Sequence, residues 1–309
     1  MSKILNFGSL NIDYVYTMDQ IVTPGETQAS LKRGVFQGGK GLNQSVACAR
    51  AGAAVWHAGA LGQGDCSVLT GALEDAGVHT EFLKTHDVPP GHTVIQVDRG
   101  GQNCIILYGG ANQSLRRAEI DDTLAHFGAG DVMLLQNEVN ELGYLIERGF
   151  KRGLKICFNL SPFKKELLDL PLERCALLAV NEVEAAGITG LSAQSRPEDL
   201  INALASRFKD SCVVLTLGTR GSVVKPSGER AEYFGCYRVK AVDTTGSRDT
   251  YTGFLVHALA SGAKVRAAMK EAACAAAISV TRPGAACSIP SRDEVLASEL
   301  FNGPEPAFG

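Results

Sequence analysis

From Ala54 onward, short runs of β-branched and apolar residues alternate with helix-length amphipathic stretches, and this rhythm restricts the fold more than any other feature of the chain. A strand, a helix and a second strand in that order form a crossover unit, and successive crossovers build a mostly parallel sheet. Candidate strands run from Ile4 to Phe7, Ala54 to Ala58, Val132 to Leu135, Lys155 to Phe158, Leu177 to Val180 and Cys212 to Leu217. Candidate helices run from Gly41 to Ala51, Ser67 to Ala76, Glu141 to Arg152, Arg196 to Phe208, Thr250 to Ser261 and Val265 to Val280. The fold class expected is therefore α/β, a mostly parallel central sheet flanked by helices. At 309 residues and 45% hydrophobic content the chain can bury a large core, and it reads as one domain over 1–309.

Two segments break the rhythm. About 14–36 and 92–108 alternate as strands around the turns Pro24-Gly25 and Asp98-Arg99-Gly100-Gly101, with no helix between. They predict a small hairpin-built sheet. Such a sheet must cover the main domain, pair with a second subunit, or both, because alone it cannot bury its faces.

Thirty basic and 33 acidic residues give a net charge of -3 without a run of like sign, which recommends neither nucleic acid nor an anionic membrane as partner. The N-terminus reads as a first strand, and no apolar run is long enough to span a bilayer, so a cytoplasmic protein acting on small molecules is expected. Nine widely spaced cysteines contain no CxxC pair, which predicts reduced, buried core thiols rather than zinc ligands or disulfides.

Gln37-Gly38-Gly39-Lys40-Gly41-Leu42-Asn43-Gln44 precedes a small-residue helix. Glycines let a ligand approach the backbone, and a helix start offers amides and positive potential. A Walker A phosphate loop fits as far as Lys40 but fails at Gly41, where the magnesium-binding hydroxyl should stand. Lys40 and Asn43 suit hydroxyl recognition better. Asn11 and Asp13, at alternate positions just after the first strand, face one side and either grip vicinal hydroxyls or make an Asx turn. Gly246-Ser247-Arg248-Asp249 leads into an apolar helix. Amides at such a mouth stabilise a transferring phosphoryl group, and Asp249 either takes the proton of an attacking hydroxyl or simply caps the helix.

Together these stretches resemble the ribokinase-like, or PfkB, carbohydrate kinases over nearly the whole chain, from Asn11 through Ser288. The resemblance implies ATP-dependent phosphorylation of a hydroxyl of a small sugar, with Asp249 as base beside Gly246, Ser247 and Arg248. It implies sugar contacts from Asn11, Asp13, Gly39, Lys40, Asn43 and Glu138, and nucleotide contacts from Asn181, Thr216, Gly218 and Gly221. Glu184, in Asn181-Glu182-Val183-Glu184, matches an acid linked to Mg²⁺, and Asp243, Thr245, Gly284 and Ser288 match the two limbs of a monovalent-cation site, usually K⁺. Gly109-Gly110-Ala111-Asn112 points to the ribokinase branch, with ribose as the expected sugar and a homodimer built through the lid.

One departure stands out. Arg248 occupies a position that is glycine in the family. If that position has positive φ, the side chain strains the anion hole by roughly 1 to 2 kcal/mol, leaving a slow enzyme or a sugar- or nucleotide-binding protein without turnover. If it is helical, Arg248 is tolerated and supplies a cation to the phosphates. A kinase for a nucleoside or another sugar is the remaining alternative.

Overall fold

The computed structural model describes residues 2–309. Its larger sheet has nine strands: β1 (Ile4–Phe7), β4 (Val55–Leu61), β5 (His79–Thr85), β8 (Val132–Gln136), β9 (Lys155–Asn159), β10 (Leu177–Asn181), β11 (Cys212–Thr216), β12 (Ser222–Lys225) and β13 (Glu232–Phe234). Their order is β13-β12-β11-β10-β9-β8-β1-β4-β5, parallel from β11 to β5, with an antiparallel hairpin at the β13 edge. The smaller sheet has the order β3-β2-β6-β7, from β2 (Asn11–Thr17), β3 (Lys32–Gly38), β6 (His92–Val97) and β7 (Asn103–Tyr108).

Helices cover both faces of the larger sheet because its inner strands are apolar on both sides, as parallel strands under crossovers are. On one face α1 (Lys40–Arg50), α2 (Ser67–Asp75), α7 (Ser247–Ala260), α8 (Val265–Ser279) and α9 (Arg292–Ala297) share a core with Ile4, Leu134 and Cys157. On the other, α3 (Arg117–Leu124), α4 (Leu142–Lys151), α5 (Glu182–Thr189) and α6 (Pro197–Arg207) pack on Leu5, Met133 and Phe158. A final short helix, α10 (Glu299–Asn302), adds Leu300 and Phe301 to the first core. No helix among the described residues is long and apolar enough to cross a membrane.

The predicted strands and helices occur with ends shifted by up to three residues, and β5, α3, α5, α9, α10 and the β12–β13 hairpin are additions. Two expectations need correction. The small sheet starts earlier than 14: Asn11 and Asp13 are not at the tip of the first strand but inside β2, paired in register with Gly38 and Phe36. The thiols are also not uniformly buried, since Cys104 on β7 and Cys287 in the loop after α8 are exposed.

Candidate active site

The site lies where strands of the larger sheet end, the usual ligand position of an open α/β sheet. After β1 the chain crosses Gly8 and Ser9 into the small sheet and returns along β3 to α1. Gly41 is obligatory in this return, because a Cβ there would lie 2.2 Å from Ser9 N and 2.4 Å from Gly8 Cα. Gly39 precedes α1 with φ 96°, which no bulkier residue adopts cheaply. This contact sets the start of α1 against β1.

A charged cluster forms there. Lys40 Nζ lies 2.7 Å from Glu138 Oε1, while the Lys40 N–H (3.0 Å) and Ser9 Oγ (2.5 Å) donate to Glu138 Oε2. Burial works against the Lys40 charge, but Glu138 beside it prevails and holds the ammonium pKa above its ordinary value. Asp13 sits over Gly38, where a Cβ would come within 2.0 Å of its carboxylate, and accepts 2.6 Å from Thr93 Oγ1 on β6. Burial pushes its carboxyl up against that hydrogen bond. Asn11 Oδ1 accepts from Asn112 Nδ2 (2.7 Å), and Asn112 Oδ1 in turn accepts from Leu10 N–H (2.9 Å), so the Gly109–Asn112 turn fixes the first residues of the small sheet.

Asp249 stands in the first turn of α7 and faces α1. Its Oδ2 accepts from Asn43 Nδ2 (3.0 Å) and its Oδ1 from Gln44 Nε2 (2.8 Å). The side chain is buried, only 8% exposed. Burial raises its pKa, opposed by the Gln44 hydrogen bond, the Lys40 charge and the Asn43 hydrogen bond, and reinforced by Glu138. It is not the cap of α7: Gly246 is, at φ 73°, with no side-chain capping bond. The N–H groups of Arg248 and Asp249 have no hydrogen-bond partner among the described residues, whereas Thr250 N–H returns to Gly246 O. Free amides at the start of a fourteen-residue helix are an anion site.

Arg248 occupies the second position of α7 and is not among the residues of positive φ, so the backbone carries no strain there. Positive φ falls on Gly246 instead. The Arg248 guanidinium lies 3.5 Å from Glu184 Oε1. Glu184 and Asn181 close a reciprocal cap on α5, Asn181 Oδ1 accepting from Glu184 N–H and Glu184 Oε2 from Asn181 N–H, both at 2.8 Å. Asn181 thus serves α5 and does not line the cleft beside it. That cleft, about 850 Å³, runs from Thr216, Gly218 and Gly221 past Ser247 and Arg248 to Ala273 and Ala277 on α8.

Beyond the start of α7, Asp243 joins two turns: its Oδ1 accepts from Thr245 N–H (2.9 Å) and Oγ1 (2.6 Å), and its Oδ2 from Gly284 N–H (2.9 Å). Burial works to raise its pKa, but these bonds prevail and keep the carboxyl below the ordinary range. Ser288 is buried and donates to Ala285 O, so its hydroxyl is spent within the second turn.

The expected sugar residues therefore converge, the nucleotide residues apart from Asn181 line one cleft, and Asp249 stands where the two meet. Ser9, Gln44, Asn112 and Gln136 also bond within or behind the site, though none of them is among the residues expected there. The available signal was a polar residue ending or interrupting an apolar strand, as Asn6 and Gln136 do.

The family model for pfkB family carbohydrate kinases matches residues 1–292. The chain is 34% identical to a ribokinase of Haemophilus influenzae over 306 residues, covering 96% of this chain and 98% of that one. In structure it is similar to a ribokinase of Arabidopsis thaliana complexed with ribose and ATP, with a TM-score of 0.86 and 28% identity over 98% of this chain and 100% of that one. A ribokinase of Cryptococcus neoformans in complex with ADP gives a TM-score of 0.83 and 31% identity over 96% and 99% of the two chains.

Proposed function

The chain belongs to the pfkB family of carbohydrate kinases, and on that premise we propose that it transfers the γ-phosphate of ATP to a hydroxyl of ribose with Asp249 as general base. The observation that carries the residue assignment is the place of Asp249. Its carboxylate, held by two α1 amides, sits beside the Lys40–Glu138 cluster and one residue from the Arg248 that lines the cleft.

The sugar binds between Asn11, Asp13, Gly39, Lys40, Asn43 and Glu138, whose carboxylates and amides accept and donate to its hydroxyls. Asp249 takes the proton of the attacking hydroxyl. The sugar oxygen forms the new bond to the γ-phosphorus as the bond to the bridging β,γ-oxygen breaks, and ADP leaves with that electron pair. The free amides of Arg248 and Asp249 stabilise the charge that develops, and the Arg248 guanidinium adds to them, since phosphoryl transfer depends on positioning and electrostatics. The small sheet acts as a lid that excludes water and so suppresses ATP hydrolysis.

Glu184 Oε1 is a donor of the kind Mg²⁺ takes alongside phosphate oxygens and water, so Glu184 would hold the ion carried by ATP. When bound, Mg²⁺ neutralises phosphate charge. The Asp243–Thr245 and Gly284–Ser288 turns, tied together through an anionic Asp243, fit K⁺ beside the anion site. The exposed apolar side chains of the small sheet, Val35, Phe36, Ile105 and Ile106 among them, support a homodimer through the lid. Exposed thiols at Cys104 and Cys287 suit the reducing cytoplasm.

The test is ADP release across a panel of pentoses, hexoses and nucleosides, with thermal stabilisation measured in parallel. Ribose is expected to give the highest kcat/KM. Ligand-induced stabilisation without ADP would mark a binding protein that lacks turnover, and preference for a nucleoside would move the assignment to another branch of the family.

A further inference from the structure

Behind Asp249 a line of buried polar side chains crosses the core on the α1 face of the larger sheet. Gln44 Nε2 donates to Asp249 Oδ1, and Gln44 Oε1 accepts from Gln136 Nε2 at 2.8 Å. Gln136 Nε2 also donates to Asn6 Oδ1 at 3.1 Å, and Asn6 Nδ2 donates to Ser45 Oγ at 2.8 Å. Ser45 Oγ meets His57 Nδ1 at 2.8 Å, and His57 Nε2 meets Gly8 O at 3.2 Å. All five of these residues behind Asp249 are fully buried.

The two ends fix the direction of every bond. A carbonyl only accepts, so His57 carries its proton on Nε2, and Nδ1 of the neutral ring accepts a hydrogen bond from the Ser45 hydroxyl. A carboxylate also only accepts, so Gln44 turns its nitrogen to Asp249 and its oxygen to Gln136. Gln136 must then present its nitrogen to both Gln44 and Asn6, which leaves Gln136 Oε1 buried with no partner among the described residues. Reversing Gln136 would set that oxygen against two other acceptors. A buried acceptor without a donor is destabilising, so the arrangement sacrifices stability to keep one donor aimed at Asp249.

We propose that Gln44, held by Gln136 and Asn6, is a positioning residue that fixes the Asp249 carboxylate as a proton acceptor facing the sugar hydroxyl. This rests on the kinase reading above. The charged groups facing Asp249 are Lys40 on α1 and Glu138 after β8, while its neighbour Arg248 on α7 turns its guanidinium to Glu184. Losing the Gln44 donor leaves burial and Glu138 less opposed, so the carboxylate protonates at higher pH and is free to turn. Asn11, Asp13 and Lys40 still bind sugar.

The experiment uses full-length Gln44→Leu and Gln136→Met, with ADP release followed from about pH 5 to 9, ribose affinity by calorimetry, and thermal melting. The expected result is a kcat loss of roughly tenfold to a hundredfold in Gln44→Leu. Ribose affinity should be unchanged, and the acid limb of the kcat profile displaced to higher pH. Gln136→Met should show the same displacement to a smaller degree. Folded variants that keep the wild-type pH profile, or that lose ribose affinity in step with kcat, overturn the proposal. If neither variant folds, the role is structural and the proposal falls. Wild-type protein without ribose-dependent ADP release would instead sink the kinase reading. The carboxyl ¹³C titration of Asp249 in wild type and Gln44→Leu still decides whether Gln44 governs that carboxylate.

Discussion

The guanidinium of Arg248, at the start of α7, lies 3.5 Å from Glu184 Oε1, at the start of α5, so a cation bridges two helix N-termini at one end of the cleft between Thr216 and α8. Helix N-termini repel cations and attract anions, and among the described residues the Glu184 carboxylate is the ion-pair partner of the arginine. Incoming phosphate oxygens can take that place. Arg248→Ala is therefore expected to raise KM for ATP roughly tenfold, the loss of one partly exposed charge-assisted contact, with ribose affinity unchanged. Arg248→Gly, which restores the family residue, should not increase kcat as much as tenfold, because the backbone at 248 is already unstrained. Steady-state kinetics on both variants checks the pair of statements.

Asp249→Asn should lower kcat by roughly a hundredfold to ten-thousandfold, the usual worth of a general base, while ribose still binds. The same change should stabilise the protein at neutral pH. Burial raises the Asp249 pKa in the fold, so the native state binds its proton more readily than the unfolded chain, and wild-type stability falls as pH rises through the folded value. Asn43 Oδ1, buried without a partner, can accept from the new amide after a simple flip of Asn43. Urea denaturation should show the variant's advantage at pH 7, shrinking toward the ordinary carboxylate pKa of about 3.8.

His57 gives the opposite sign. Its burial holds the ring neutral with the pKa lowered to about 4, so the unfolded chain binds the proton first and stability is lost as pH falls from about 6.5 to 4. The loss from this one group is about 3 kcal/mol over that range. His57→Gln, although less stable at pH 7, should lose this part of the pH dependence, and urea midpoints from pH 7 to 4.5 would reveal it.

Ile106 is 62% exposed in β7, an edge strand whose six residues are all exposed. An apolar, unpaired edge of this kind is a template for pairing with another chain, as the proposed lid dimer requires. Ile106→Glu should convert a dimer to a monomer in light scattering, and a wild-type protein that runs as a monomer would remove the lid interface from the proposal.

Much of the architecture was legible because it is written in local periodicity: apolar runs such as Val132–Gln136 or Cys212–Thr216 lie between helix-length stretches, and a crossover connection leaves little freedom of topology. Strands with weaker patterns were missed. His79-Thr80-Glu81-Phe82-Leu83-Lys84-Thr85 is polar because it forms the β5 edge, and Glu182–Thr189 shows little apolar stripe because its first turn is occupied by a cap. The candidate site residues were also mostly local, held in the glycine-rich stretch before α1 and in the segment that opens α7.

What the chain determined by itself was therefore the α/β architecture, the small antiparallel sheet and which side chains are candidates for the site, since each follows from spacing along a few residues. The tertiary structure alone decided what those side chains do to one another. Lys40 pairs with Glu138 across 98 positions, Asp249 is held by Asn43 and Gln44 across more than two hundred, and Arg248 meets Glu184 only because α5 and α7 start at the same end of the sheet. Hydrogen-bond direction, burial and charge depend on distance in space, which no local pattern encodes. For the same reason the backbone angle at 248, on which the strain of the proposed anion site depends, was set by the helix that contains it and not by the residue that occupies it.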